Sequence, residues 1–240
     1  MTDITNEFGQ PIGSPVENWV ARALPPNIPM QGRCCSLEPL DADHHTPDLF
    51  DAFGRDPDGA NWTYLGVGPF DNYDQFSDWV RKMCELKDPF FHSVIDKQSG
   101  KAIGVASYLR INPEHGVIEV GHIHFSPLLQ RTTLATEAMF LMMQRVFDEL
   151  GYRRYEWKCD ALNAPSRKAA LRLGFSFEGI FRQALMYKGR NRDTAWFAII
   201  DKDWQTIKHA FECWLDPNNF SADGSQRSSL SQHIQAATTS

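Results

Sequence analysis

Hydrophobic and polar positions along the chain recur with two periods, one of two residues and one near 3.6, and the switches between them mark out the elements. Residues 33–40 predict a first strand that ends at Pro39. Residues 44–53 and 71–86 predict helices; in the second, Phe76, Trp79, Val80 and Met83 recur at helical spacing. Three strand-like runs follow, 90–95, 102–111 and 117–125. The turn sequences Lys97-Gln98-Ser99-Gly100 and Asn112-Pro113-Glu114-His115-Gly116 separate them, which predicts an antiparallel meander. The period then lengthens. Ala135, Met139, Met142, Met143, Val146, Phe147 and Leu150 line one face of a helix over 132–150, with Gly151 placed to stop it. A strand over 152–159, a helix opened by Asn163-Ala164-Pro165-Ser166 and closed at Gly174, and strands over 177–187 and 194–200 complete the order. This succession predicts an α/β domain, with a mixed, mostly antiparallel sheet and helices on both faces.

The ends depart from this pattern. Residues 1–30 carry Pro15, Pro25, Pro26 and Pro29 among few periodic apolar positions and predict an extended arm. Residues 221–240 are small and polar and predict a disordered tail, which leaves one domain over 31–220. No apolar run approaches the roughly 18 residues of a membrane span, and the first residues have neither the basic nor the apolar stretch of a secretory leader. The five cysteines are scattered, with Cys34 and Cys35 adjacent, an arrangement that fits neither a metal knuckle nor a disulfide framework. A reducing, cytoplasmic setting is therefore expected. A net charge of -6 offers nothing to grip a nucleic-acid backbone.

Three segments can carry chemistry. Gln130 to Thr136 lies between a strand end and a helix start. A helix start leaves about four amides unpaired and carries roughly half a positive charge, so it can seat a phosphate. Thr132 and Thr133 are cap residues and Arg131 adds a cation, although an ordinary capped helix accounts for the same residues. Asn163 with Pro165 is a complete helix-start signal on its own account. On the strand over 117–125, His122 and His124 at i and i+2 share a face, as a metal pair or a hydrogen-bonded pair. Glu119 falls on the other face among Val117, Gly121 and Ile123, where it either pairs with a base such as Arg110 or serves with a raised pKa. There is no Gly-x-Ser-x-Gly elbow, Walker loop or dinucleotide-binding glycine motif.

Taken in order, these segments resemble the GNAT superfamily of N-acetyltransferases, in its ribosomal-protein-alanine (RimJ/RimL-like) branch. Gln130-x-x-Thr133-x-Ala135 followed by Thr136-Glu137-Ala138 is similar to the family's acetyl-CoA loop. Asn163-x-x-Ser166 with Leu173-Gly174-Phe175 is similar to the branch's second helix, and Gly189-Arg190 with Asp193, Trp196 and Trp204 to its closing hairpin and terminus. The likeness spans residues 32–205. It departs from the family at Thr133, where the central glycine of the loop is expected, and at Arg131, where a glycine is common.

The resemblance implies splayed fourth and fifth strands with acetyl-CoA between them and no metal. The cofactor would be held by backbone near Phe125, by Gln130, Arg131, Thr132, Thr133, Leu134, Ala135 and Thr136, and by Asn163 and Ser166 near the thioester. It implies direct attack of a primary amine, of a protein N-terminus or a small molecule, on the thioester. Glu119 would be the base, with His122 or His124 as substitutes, and Ser166 would assist the leaving thiolate. The partners implied are acetyl-CoA and the amine, with no membrane or nucleic acid, in a monomer or homodimer. A catalytically silent acyl-CoA-binding protein and a histidine-based metal enzyme remain as alternatives.

Overall fold

The computed structural model describes residues 4–239. Eight strands form one sheet in the order β1-β2-β3-β4-β5-β6-β8-β7. They are β1 (Met30–Gln31), β2 (Cys35–Pro39), β3 (Phe90–Asp96), β4 (Ala102–Asn112), β5 (Val117–Phe125), β6 (Arg154–Asp160), β7 (Ser176–Tyr187) and β8 (Arg190–Ile200). The helices are α1 (Ala42–Phe53), α2 (Tyr73–Cys84), α3 (Thr133–Gln144), α4 (Ala164–Arg172), α5 (Asp201–Leu215) and α6 (Leu230–Thr239). Every strand contact is antiparallel except that of β5 with β6, the mixed α/β arrangement that the periodicities predict.

Alternation along the strands sends two apolar sets to opposite faces. Tyr108, Val120, Tyr155, Trp157 and Phe197 pack with Met139, Met142 and Met143 of α3 and Phe211 of α5. Phe91 and Val105 pack instead with Leu49 and Phe53 of α1 and Phe76 and Val80 of α2. Asp41 caps α1 and Asn72 caps α2, which sets where this second layer begins. The long helical period over 132–150 is divided: α3 ends at Gln144 and a π turn, Arg145–Glu149, continues it. Buried Arg145 donates from there to the carbonyls of Ile28 and Pro29, at 2.7 and 3.1 Å, so the N-terminal arm is tied to the domain.

The C-terminal region differs from expectation. α5 extends the domain past β8, and residues 221–239 are not structureless. Trp214 Nε1 donates to Gln226 at 2.8 Å, Asn219 exchanges hydrogen bonds with Ser228, and Leu230 at the start of α6 is 0% exposed. The polar composition that predicted disorder is used here in side-chain and backbone hydrogen bonds around two apolar anchors, Leu230 and Ile234. Among the described residues no helix is long and apolar enough to cross a membrane. All five cysteines are free.

Candidate functional site

β5 and β6 pair only from Val117↔Arg154 to Val120↔Trp157. Beyond that point the strands part, leaving a wedge between residues 121–125 on one arm and 158–160 on the other. Because the two strands are parallel, the elements that follow them start on the same side: α3 begins beyond β5 and α4 beyond β6. Two helix N-termini, each with unpaired amides and a partial positive charge, therefore stand at the open end of the wedge.

The α3 end is built by a tight turn. Ser126 carbonyl accepts from the amides of Leu129 and Gln130 at 2.9 and 3.0 Å. Arg131 then takes the left-handed conformation, φ 62°, which lets Thr132 cap the helix. Thr132 Oγ1 donates to Leu129 carbonyl at 2.6 Å and accepts from the Ala135 amide at 3.2 Å. Gln130 Nε2 donates to Phe125 carbonyl at 2.8 Å and to Asn61 at 3.0 Å, linking β5, this turn and the α1–α2 connection. Leu134 and Ala135 pack their side chains toward the core, and with the Ala135 amide taken by the Thr132 cap, only the Leu134 amide is left to a ligand. Thr136 is buried and accepts from Arg172 of α4 at 3.1 Å, away from the helix start. Across the wedge, Asn163 caps α4 by accepting from the Ser166 amide at 3.1 Å. Ser166 Oγ accepts from Trp157 Nε1 at 3.0 Å, and its hydroxyl bonds the Cys159 thiol on the same strand as Trp157.

The closed end of the wedge is charged. Glu119, 2% exposed, pairs with Arg110 Nη1 at 2.7 Å and with Lys158 Nζ at 2.9 Å. Lys158 also meets Glu156 at 2.7 Å and lies 3.7 Å from the centre of the Trp196 ring. Burial pushes the Glu119 carboxyl above its ordinary pKa, against the pull of Lys158 and Arg110.

The histidine arrangement departs from the expected alternation. A bulge at His122, φ 48°, inserts a residue between Ser107↔Gly121 and Val105↔His124. The extra residue cancels the half-step, and Glu119 and His124 lie on the same α1/α2 face. His122 joins them through Ser107 Oγ at 3.0 Å and the Phe91 ring. His122 itself is exposed at the surface, and desolvation of its ring with the Arg110 and Arg192 charges pushes its pKa down. His124 is wedged between Phe53 and Trp62, ring centres 4.1 and 3.9 Å away, and burial pushes it down to about 3. Its neutral ring is a packing element. Among the described residues no three His, Cys, Asp or Glu side chains converge as metal ligands.

Sequence reasoning brought Glu119, Gln130 to Ala135, Asn163 and Ser166 to one wedge but missed Lys158, Glu156 and the β8 wall beside them. The detectable signal is the charged face of β6, where Arg154, Glu156, Lys158 and Asp160 alternate with Tyr155, Trp157 and Cys159. The far side of the wedge is bridged to the α1–α2 connection: Lys188 Nζ donates to Trp62 carbonyl at 2.7 Å and Tyr64 hydroxyl to Leu162 carbonyl at 3.3 Å.

Known proteins share this architecture. The acetyltransferase (GNAT) domain model matches residues 36–176. A GCN5-related N-acetyltransferase from Brucella melitensis is 46% identical in sequence, with a TM-score of 0.90 over 92% of this chain and 100% of that one. A probable GNAT-family acetyltransferase from Chromobacterium violaceum is 42% identical, with a TM-score of 0.76 over 82% of this chain and 98% of that one. An uncharacterized N-acetyltransferase, p20, of Bacillus licheniformis is 26% identical over 65% of this chain and 88% of its own.

Proposed function

The chain belongs to the GNAT acetyltransferase family, and on that premise we propose that it transfers the acetyl group of acetyl-CoA directly to a primary amine in the β5/β6 wedge. The observation that carries the reading is the parting of β5 from β6 beside the Arg131–Thr132 turn. The wedge offers strand edges for an extended pantetheine chain, and the α3 start offers unpaired amides and a cation for a pyrophosphate. The residues present suit that molecule: Arg131, Thr133 and the Leu134 amide would face the phosphates, with Thr132 and Ala135 joined in the cap behind them and Phe125 and Gln130 beside the pantetheine. Asn163 and Ser166 would stand near the thioester. The order of motifs, including Ala135-Thr136-Glu137-Ala138, supports the RimJ/RimL-like branch within the family.

Acetyl-CoA supplies the activated acyl group. The protein's part begins with the acceptor, whose ammonium must lose a proton before its nitrogen can attack. Glu119, paired with Lys158 and Arg110, takes that proton through water in its carboxylate form, a contribution of about a hundred- to ten-thousandfold. The C–N bond forms as the C–S bond breaks, the nitrogen's second proton passes to the departing thiolate, and the Ser166 hydroxyl hydrogen-bonds that sulfur as it leaves. Thiol release from acetyl-CoA with a panel of amines, with the product mass showing a gain of one acetyl group, tests the reading. Acetyl-CoA binding without amine-dependent thiol release contradicts it.

A further inference from the structure

β8 places Arg192, Thr194 and Trp196 at alternating positions, and cross-strand pairs Asp160↔Thr194 and Lys158↔Trp196 put them on the face that carries Glu119. Each has a polar atom buried without a hydrogen-bond partner: Arg192 Nε, Thr194 Oγ1 and Trp196 Nε1. Leaving one such atom unpaired costs about 1–3 kcal/mol, and three in a row on one face form a set of donors that no protein group among the described residues satisfies. They also belong to the wedge. Trp196 lies against Lys158, and the Arg192 charge acts on His122 of the opposite arm.

The chemistry of the three is one-sided. Guanidinium and indole N–H groups only donate, and a threonine hydroxyl can. The carboxylates of this region are already engaged. Glu119, Glu156 and Glu178 are paired with Arg110, Lys158 and Arg154. Asp160 accepts from Tyr187 hydroxyl and the Leu162 amide, both at 2.8 Å. Among the described residues Arg192 is left as a half-buried cation with no carboxylate of its own. Phe181 stacks on the outer side of Trp196, 4.3 Å between centres, and fixes the plane of the indole. A row of donors ending in a guanidinium is complementary to an oxyanion.

We propose that Arg192, Thr194 and Trp196 form an oxyanion subsite, and that the acceptor is a small primary amine that also carries a carboxylate or phosphate group. The inference rests on the acetyl-transfer reading above. The anion sits against β8 and directs the amine along the same face toward Glu119. The subsite selects against an uncharged amine, which would leave the three donors unpaired, and against the internal backbone of a peptide acceptor.

The test is initial-rate thiol release from acetyl-CoA with matched amines. One arm compares amino acids with their carboxamides, a second compares an aminoalkyl phosphate with the corresponding amino alcohol, and a third uses peptides with a free N-terminus and an amidated C-terminus. In at least one of the first two arms the anionic member should have a kcat/KM about 10- to 100-fold above its neutral partner. The arm that shows it identifies the anion as carboxylate or phosphate. Arg192→Met should bring the anionic member down to the neutral rate, chiefly through KM, and Arg192→Lys should restore part of the difference. Acetyl-CoA affinity, read by calorimetry, should be the same in all three proteins. Equal kcat/KM within both pairs, a preference for the peptides, or a preference that survives Arg192→Met overturns the subsite and leaves acetyl transfer standing. Thiol release with no amine overturns both.

Discussion

Lys158 Nζ stands 2.9 Å from Glu119 Oε2 at the point where β5 and β6 part, and both side chains are almost wholly inside the protein. A buried carboxylate without such a partner would take up a proton. Lys158 therefore does more than fill space: together with Arg110 it pulls down the pKa of a carboxyl that burial pushes up, at the closed end of a cleft. Breaking a buried pair is ordinarily destabilising because it strands a charge. Here Lys158 retains Glu156 at 2.7 Å, and Arg110 is half-exposed, so loss of the Glu119 charge strands neither base.

Glu119→Gln is accordingly expected to fold and to bind acetyl-CoA as the parent does, with turnover down by about a hundred- to ten-thousandfold. The pH dependence has a definite sign. The deprotonated form is the active one, so rate falls as pH drops through a Glu119 pKa that lies above the ordinary 4.5. Lys158→Met removes a charge that lowers this pKa and should move the acid limb of kcat/KM to higher pH, while Lys158→Arg should hold it in place. An acid limb that stays put in Lys158→Met would remove Glu119 from the role of base.

Glu137 in α3 sets how β2 meets the α3 layer. Its carboxylate accepts from the amides of Arg33, Cys34 and Cys35 at 2.8, 2.7 and 2.9 Å. Gly32 stands so close that an added Cβ would lie 2.7 Å from Glu137 Cδ and 2.9 Å from Leu141 Cδ1. Gly32→Ala should cost about 1–3 kcal/mol by overpacking, and Glu137→Ala at least as much by leaving three amides unpaired. Chemical denaturation of both single variants and the double variant should show non-additivity, because Glu137→Ala removes most of what the new methyl group meets.

How far the sequence carries is visible at β5 and β6. The bounds of β5, Val117–Phe125, agree with the predicted 117–125 because turn sequences bracket it on one side and a helix start follows on the other. Its facing was not legible beyond Gly121, since one bulged residue reverses every later alternation and nothing in the residue types marks it. Lys158 was visible as one of four charges, with Arg154, Glu156 and Asp160, that alternate with apolar residues along β6. Its partnership with Glu119 was not, because only the parallel pairing of β5 with β6, with α3 between them in sequence, brings the two together. Thr133 shows the same limit from another side. It departs from the family glycine, yet it opens α3 as a helical residue, and the left-handed position is Arg131.

The C-terminal segment supplies the third test. Removing residues 221–240 deletes the buried Leu230 and the partners of Trp214 and Asn219. Full burial of one leucine is worth about 1.5–3 kcal/mol, and about 1 kcal/mol moves the melting temperature of a domain this size by roughly 2–4 °C. A fall of about 5–10 °C is expected from these terms, with Leu230→Ala giving a comparable share. An unchanged thermal transition in the truncated protein would show that α6 contributes no net stability.

Arg131 gives the last prediction, because one residue there serves two opposed demands. The turn into α3 needs φ 62°, a conformation that glycine adopts freely and arginine adopts at some expense. Glycine at this position would relax the turn, adding up to about 1 kcal/mol of stability where the left-handed strain outweighs the loss of unfolded-state restriction. The guanidinium, however, is exposed beside the unpaired amides of the α3 start, where a pyrophosphate would sit. Its removal should weaken acetyl-CoA binding by roughly 1 kcal/mol, about fivefold, and less so at high salt, as for any exposed ion pair. Arg131→Gly is thus expected to melt no lower than the parent and to bind acetyl-CoA more weakly, whereas Arg131→Lys should keep the affinity and the strain together. Thermal denaturation and calorimetry at two salt concentrations measure the two effects separately. A glycine variant that binds acetyl-CoA as tightly as the parent at low salt places the pyrophosphate away from this turn.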